Sequence, residues 1–155
     1  MFKEETIQKV NHIIREFFEK LGIEGEIEIK NPRGEGNTFF VKIETDYPQP
    51  LIGERGQTLA MVQRLLKAIL RKQVQEGFYI DVDVNKYKEK KIKYLKELAR
   101  SVSNEVALEK KEKILDPMPA YERRIIHLEL AERSDVTTES VGREPYRRVV
   151  IKPYP

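Results

Sequence analysis

A chain of 155 residues has room for one ordinary domain or two small ones, and 39% hydrophobic against 35% charged residues can fill a core inside a densely charged shell. The lack of cysteine excludes a disulfide framework, a thiolate zinc site and thiol catalysis. No run approaches the roughly 18 apolar residues of a membrane span, and Met1 to Lys9 is too charged for a signal peptide, so a cytoplasmic location without membrane insertion is expected.

The net charge of +3 conceals an uneven distribution. Residues 1–50 hold seven basic and ten acidic side chains, a balance of −3; residues 51–73 hold five and one, a balance of +4; residues 87–155 hold sixteen and twelve, again +4. The sign changes abruptly at Leu51, and such asymmetry matters more to a polyanionic partner than the total does.

Glu4 to Leu21 places Ile7, Val10, Ile14, Phe17, Phe18 and Leu21 at helical spacing, with Gly22 where a C-cap sits. Alternation over Glu24 to Lys30 predicts a strand, and after the turn-forming residues 31–37 the run Phe39 to Ile43 supplies its hairpin partner. Pro48 and Pro50 disfavour a helix before Leu51 unless it is a single turn. A strongly periodic helix from Gln57 to Gln75 gathers Leu59, Val62, Leu65, Leu66, Ile69 and Leu70 on one side and Arg64, Lys67 and Arg71 on the other. Phe78 to Val84 forms a third strand. From Asn85 a lysine-rich helix with Leu95, Leu98, Val102 and Val106 as its apolar stripe runs to Lys111, and the shift in composition divides residues 1–86 from residues 87–155. Glu112 to Leu115 reads as a short strand, a helix starts at Pro119 and ends near Glu132, and the strands Val136–Val141 and Arg147–Lys152 close the chain. The class is α+β, with no internal repeat.

Gly53-Glu54-Arg55-Gly56 is a G-x-x-G loop opening the second long helix. Such a loop is either a tight turn or a phosphate cradle: two glycines let backbone approach a polyanion, the helix N-terminus favours negative charge, and Arg55 adds a charge-assisted contact. The order helix, strand, strand, G-x-x-G, helix, strand resembles the type II KH domain, and residues 51–59 resemble the form found in the Jag family, the SpoIIIJ-associated RNA-binding proteins. The resemblance implies that Gly53, Glu54, Arg55 and Gly56 clamp single-stranded backbone while an adjacent apolar groove holds bases. Arg64, Lys67 and Arg71 are either further phosphate contacts or a solvated helix face. Glu54 puts a carboxylate at the phosphate site, which Arg55 must offset.

Arg123 and His127 stand four residues apart, one helical turn, and can form a compact donor surface, although by spacing alone a structural role for His127 is favoured. Their flanks, residues 116–127, 136–142 and 147–151, are similar to the R-three-H domain, named for its Arg-x-x-x-His, which follows a KH domain in Jag proteins. That likeness implies a single-stranded nucleic-acid surface lined by Arg123 and His127, with Arg124, Arg147 and Arg148 as further candidates. It also implies a small companion KH-domain protein as partner and leaves RNA against single-stranded DNA open. Many Jag proteins begin with another N-terminal domain and a linker; here the chain starts directly at the KH helix, as a trimmed or short member would.

An enzyme reading finds only His12 and His127, far apart, the first a surface or boundary residue of an ordinary helix. Asp81 and Asp83 alternate on a strand and either hold a metal for a nuclease or belong to a solvated face. A protein-interaction adaptor is the other competitor. The expectation is a non-catalytic binder of single-stranded RNA, a chaperone or post-transcriptional regulator of bacterial type, with no cofactor and no metal: a KH domain over residues 1–86 and an R-three-H domain over 87–155.

Overall fold

The structure, a computed structural model, describes residues 2–155. It is α+β and divides into two compact units, one ending at Lys88 and one running from Glu89 to Pro155.

The first unit contains α1 (Glu4–Lys20), β1 (Glu26–Lys30), β2 (Thr38–Glu44), α2 (Gln49–Ile52), α3 (Gln57–Arg71) and β3 (Tyr79–Val84), the order expected of a type II KH domain. Val10, Ile14 and Phe18 recur on one face of α1 and are fully buried, whereas Leu21 is exposed at the C-cap. β1 pairs antiparallel with β2 and β2 pairs parallel with β3, so β2 is central. The parallel pair requires a crossover, and α2 with α3 supplies it. Alternation sends Phe39, Val41, Ile43, Ile80, Val82 and Val84 into the core and leaves Lys42, Glu44, Asp81 and Asp83 on the other face. β3 is an edge strand, and Gln63 of α3 accepts the Val82 N–H at 3.0 Å, which blunts the edge.

α2 is the single turn anticipated from its prolines. Pro48 is its N-cap and Pro50 its second residue, positions whose N–H groups have no intrahelical acceptor to lose. α3 ends at Arg71 rather than Gln75, and the following turn returns Val74 to the core. Leu65, expected among its core residues, is 53% exposed; the buried seam is the narrower set Leu59, Leu66 and Leu70, and Leu65 lies beside exposed Met61 and Ala68.

α4 (Tyr87–Glu109) begins in the last residues of the first unit and continues into the second. There β4 (Lys113–Ile114), α5 (Ala120–Leu130), β5 (Val136–Val141) and β6 (Arg148–Pro153) follow, with β6 between β4 and β5 in an antiparallel sheet. Leu95, Ala99, Val106, Ile126, Leu130, Val136, Val149 and Ile151 make a separate core. The buried seam of α4 is Leu95, Ala99, Ser103 and Val106, rotated from the expected stripe, and Leu98 and Val102 only flank it. Ser103 is tolerated there because its hydroxyl donates to the Arg100 carbonyl at 2.9 Å and accepts from Arg133 at 2.8 Å. Among the described residues no helix is long and apolar enough to cross a membrane.

Candidate nucleic-acid interface

α2 delivers the chain into Gly53–Gly56 and α3 carries it away, so the loop is held at both ends by buried residues: Leu51 and Ile52 before it, Leu59 after it. Within it Gly53 has φ 70°, Arg55 φ 53° and Gly56 φ 75°. Left-handed backbone is cheap for glycine and costly for residues with a Cβ. Space makes the same demand: a Cβ on Gly53 would fall 2.0 Å from Thr58 Oγ1, and one on Gly56 would fall 2.8 Å from Tyr87 Cε1. Glu54 and Arg55 are exposed and both glycines are half-buried, so the loop is open to solvent.

Tyr87 reaches Gly56 because the chain turns sharply between β3 and α4. Asn85 and Lys86 both take positive φ, 49° and 56°, and the Asn85 side chain binds both backbone groups of Thr45, accepting from N–H at 2.9 Å and donating to C=O at 2.8 Å. Asn85 thus ties β3 to the end of β2 while Tyr87 forms a wall against the loop. Neither residue was singled out from the sequence; the readable signal was Asn85, of a residue type that tolerates left-handed backbone, directly after a strand.

Arg64 is exposed on the flank of α3, and Lys67 reaches Tyr79, its Nζ 5.2 Å from the ring centroid. Arg71 closes α3, which at about 1.5 Å per residue places it roughly 20 Å along the axis from Gly56. The structure therefore does not gather these three cations at the loop.

In the second unit the fold holds both members of the expected Arg123/His127 pair with its own partners. Arg123 is 7% exposed, its Nη1 donates to the Met118 carbonyl at 2.7 Å, and its Nη2 pairs with Glu144 Oε1 at 2.8 Å. The cause is tertiary. The Met118-Pro119 segment entering α5 is itself tied to the residue that precedes β6, through Met118 N–H to the Arg147 carbonyl at 3.1 Å, and the guanidinium bridges that segment and Glu144. His127 stands on α5 against β5, with Nδ1 2.7 Å from Thr138 Oγ1 and Nε2 2.7 Å from Ser140 Oγ. Burial, and then the charge of Arg123, hold its imidazole below the ordinary value near 6.5. The neutral ring donates through one nitrogen and accepts through the other, and a hydroxyl can serve either role.

Arg147 also serves the scaffold, donating to the Gly142 carbonyl at 2.8 Å and the Ser140 carbonyl at 3.3 Å, so it clasps the β5–β6 turn. Arg148 is half-buried with Nε 3.4 Å from the Tyr146 carbonyl, and Arg124 is exposed on α5. Thr138 and Ser140 lie in the stretch 136–142 that carries the R-three-H resemblance, but neither they nor Glu144 were read as partners of the named pair, because each is brought to it by the fold.

Asp81 and Asp83 are engaged with the start of α4. Lys88 pairs with Asp81, and Asp83 Oδ1 accepts the Lys88 N–H at 3.1 Å and its neighbour Val84 N–H at 2.9 Å. His12 is exposed, as expected, 3.9 Å from Glu16.

A family model of the R-three-H domain matches residues 93–153. The RNA-binding protein KhpB of Clostridium symbiosum is 32% identical over 150 residues, 96% of this chain and 67% of that protein. KhpB of Lactiplantibacillus plantarum is 35% identical over 133 residues, 85% of this chain but 40% of the relative. KhpB of Bacillus subtilis is 35% identical over 103 residues, 65% of this chain and half of that protein. The chain thus spans between two fifths and two thirds of these relatives. From the KH-type unit with its G-x-x-G loop, the R-three-H match after it and the similarity to KhpB along nearly its whole length, the chain belongs to the Jag family, the family of the KhpB proteins.

Proposed function

We propose that the chain binds single-stranded RNA without catalysing a reaction on it, as a cytoplasmic RNA chaperone or post-transcriptional regulator, with KH and R-three-H modules over residues 1–86 and 87–155. The observation that carries this reading is the loop Gly53–Gly56: two glycines too closely packed to bear a side chain, positive φ at three of four positions, and an outer side open to solvent. Such a loop brings bare backbone against a sugar-phosphate chain, and Arg55 adds a cation beside Glu54. The names of the relatives, RNA-binding proteins, support it.

Arg64, Lys67 and Arg71 line the flank of α3 as accessory phosphate contacts, Arg71 being remote from the clamp. In the R-three-H module the exposed Arg124 and the half-buried Arg148 and His127 are the contacts. Arg123 and Arg147 are positioning residues that hold the surface in shape through Glu144, Met118 and the β5–β6 turn. Because a backbone clamp is tolerant of the sugar, single-stranded DNA competes, more weakly, with RNA.

The pairing of Asp81 with Lys88 puts an ammonium where a nuclease would need a divalent cation, which disfavours the metal-dependent reading. A second role, protein contact, is favoured by exposed Met61, Leu65 and Ala68 on one side of α3, a stripe suited to a companion KH-domain protein.

Fluorescence anisotropy with labelled single-stranded RNA tests the reading. Arg55→Asp is expected to weaken binding at least about tenfold, since it replaces attraction with repulsion at the clamp, and wild-type affinity should fall steeply with salt. Equal affinity in a folded Arg55→Asp variant, or no salt dependence, overturns it.

A further inference from the structure

At the end of the first unit remote from Gly53–Gly56, two depressions adjoin. One, of about 780 Å³, lies over the β1–β2 loop and is walled by Lys30, Arg33 and Phe40; the other, of about 510 Å³, is walled by Arg71 and Tyr79; Asn37 belongs to both. We infer that this trough is a second nucleotide-binding site, in which Phe40 and Tyr79 stack unpaired bases while Lys30, Arg33 and Arg71 contact phosphates. The inference rests on the RNA-binding reading and adds a site that the clamp does not include.

Phe40 and Tyr79 break a pattern. On the outer face of the sheet every position apart from Thr38, Phe40 and Tyr79 is charged, namely Glu26, Glu28, Lys30, Lys42, Glu44, Asp81 and Asp83. Phe40 is nevertheless 45% exposed and Tyr79 59% exposed. Phe40 is registered with Asp81, two residues from Tyr79 on the neighbouring strand, so both side chains leave the same face of the sheet from adjacent strands. Lys67 already sits over the Tyr79 ring, presenting a cation beside a π-face.

The charge around the rings suits an anionic partner. Of the nearby carboxylates, Asp81 is paired with Lys88, and Glu76 accepts from the Thr6 hydroxyl at 3.3 Å. Glu28 stands 3.7 Å from Lys30, both more than half exposed, a pair that yields readily to a competing phosphate. Lys30, Arg33, Lys67 and Arg71 surround the aromatics, and base-on-aromatic stacking with a cationic border is a sequence-tolerant way to hold single strands. α3 separates the trough from the clamp by about 20 Å, so a strand of about four nucleotides held by the clamp does not reach it.

The test titrates the full chain into labelled single-stranded RNAs of about 4 and about 16 nucleotides. Phe40→Thr combined with Tyr79→Thr removes both rings and keeps strand-forming residues at surface positions. It should weaken the longer RNA about tenfold or more and leave the shorter one unchanged, while Tyr79→Phe retains wild-type affinity. Ultraviolet crosslinking of the wild-type protein to the longer RNA should place adducts on the peptides bearing Phe40 and Tyr79, which holds whether or not the double variant folds. Unchanged affinity in a folded double variant, or adducts confined to the clamp, overturns the inference and leaves this face to a protein partner. In that event Arg55→Asp still weakening both RNAs preserves the proposed function, whereas wild-type protein that binds neither RNA removes both.

Discussion

Gly53 and Gly22 share a nearly identical backbone angle, φ 70° and 72°, yet differ in what surrounds them. At Gly22 an added Cβ meets nothing within 4 Å, so Gly22→Ala carries only the left-handed backbone penalty, about 1–2 kcal/mol. At Gly53 the Cβ meets Thr58 Oγ1 at 2.0 Å, and α3 must shift to relieve it. Gly53→Ala is expected to cost more than Gly22→Ala, in excess of about 2 kcal/mol, when the two are compared by urea denaturation. Equal costs would mean the loop does not hold the packed geometry. Both positions were legible as glycines at turns; the distinction between them was not, because Thr58 is a contact made only when α3 folds back over α2. The same holds for charge. Arg55 and Arg123 are equivalent as letters, but one is exposed on a loop and the other lies under Glu144.

The contact of α5 with β5 predicts a pH dependence carried by His127. His127 bridges Thr138 and Ser140, and its pKa is lowered in the folded state, first by burial and then by Arg123. As pH falls below about 6.5 the unfolded chain takes up this proton before the folded chain does, so the contribution of His127 is complete above 6.5 and is lost as pH drops through the folded value. Denaturation midpoints should fall between about pH 7 and pH 5, and His127→Gln should flatten that slope while lowering the midpoint at pH 7. The carboxyls of Glu139 and Asp135, held low by Lys152 and Arg133, act in a more acidic window and do not mimic it. Elements themselves were largely readable, since periodicity is local; the ends of α3 and the seam of α4 were not. Leu65 and Ser103 show why, each placed by the surface that the helix meets rather than by its own hydrophobicity.

The two units have separate cores, Phe18, Phe39 and Leu66 anchoring one and Leu95, Ile126 and Ile151 the other. Damage to one core should therefore be felt chiefly there. Arg123→Ala leaves the Met118 carbonyl without its buried donor and Glu144 without its partner, a loss of about 1–3 kcal/mol. Hydrogen exchange should show reduced protection in β4, β5 and β6 and unchanged protection in β1, β2 and β3. Equal loss in both sheets would show the units to unfold as one. A positioning role for Arg123 further requires that Arg124→Ala weaken RNA binding without this loss of protection.

By itself the sequence determined the α+β class, the order of helices and strands, the single turn permitted by Pro48 and Pro50, and the two motifs that mark the Jag family. All of these are carried by spacing and by residue types along neighbouring stretches of chain. Only the tertiary structure decided which cations face solvent, that Arg123 is buried, that His127 sits between two hydroxyls with its pKa lowered, and that Phe40 and Tyr79 stand exposed on one face of the sheet. Burial and pKa depend on partners distant in the chain, and helical or strand period names a face without saying what will cover it.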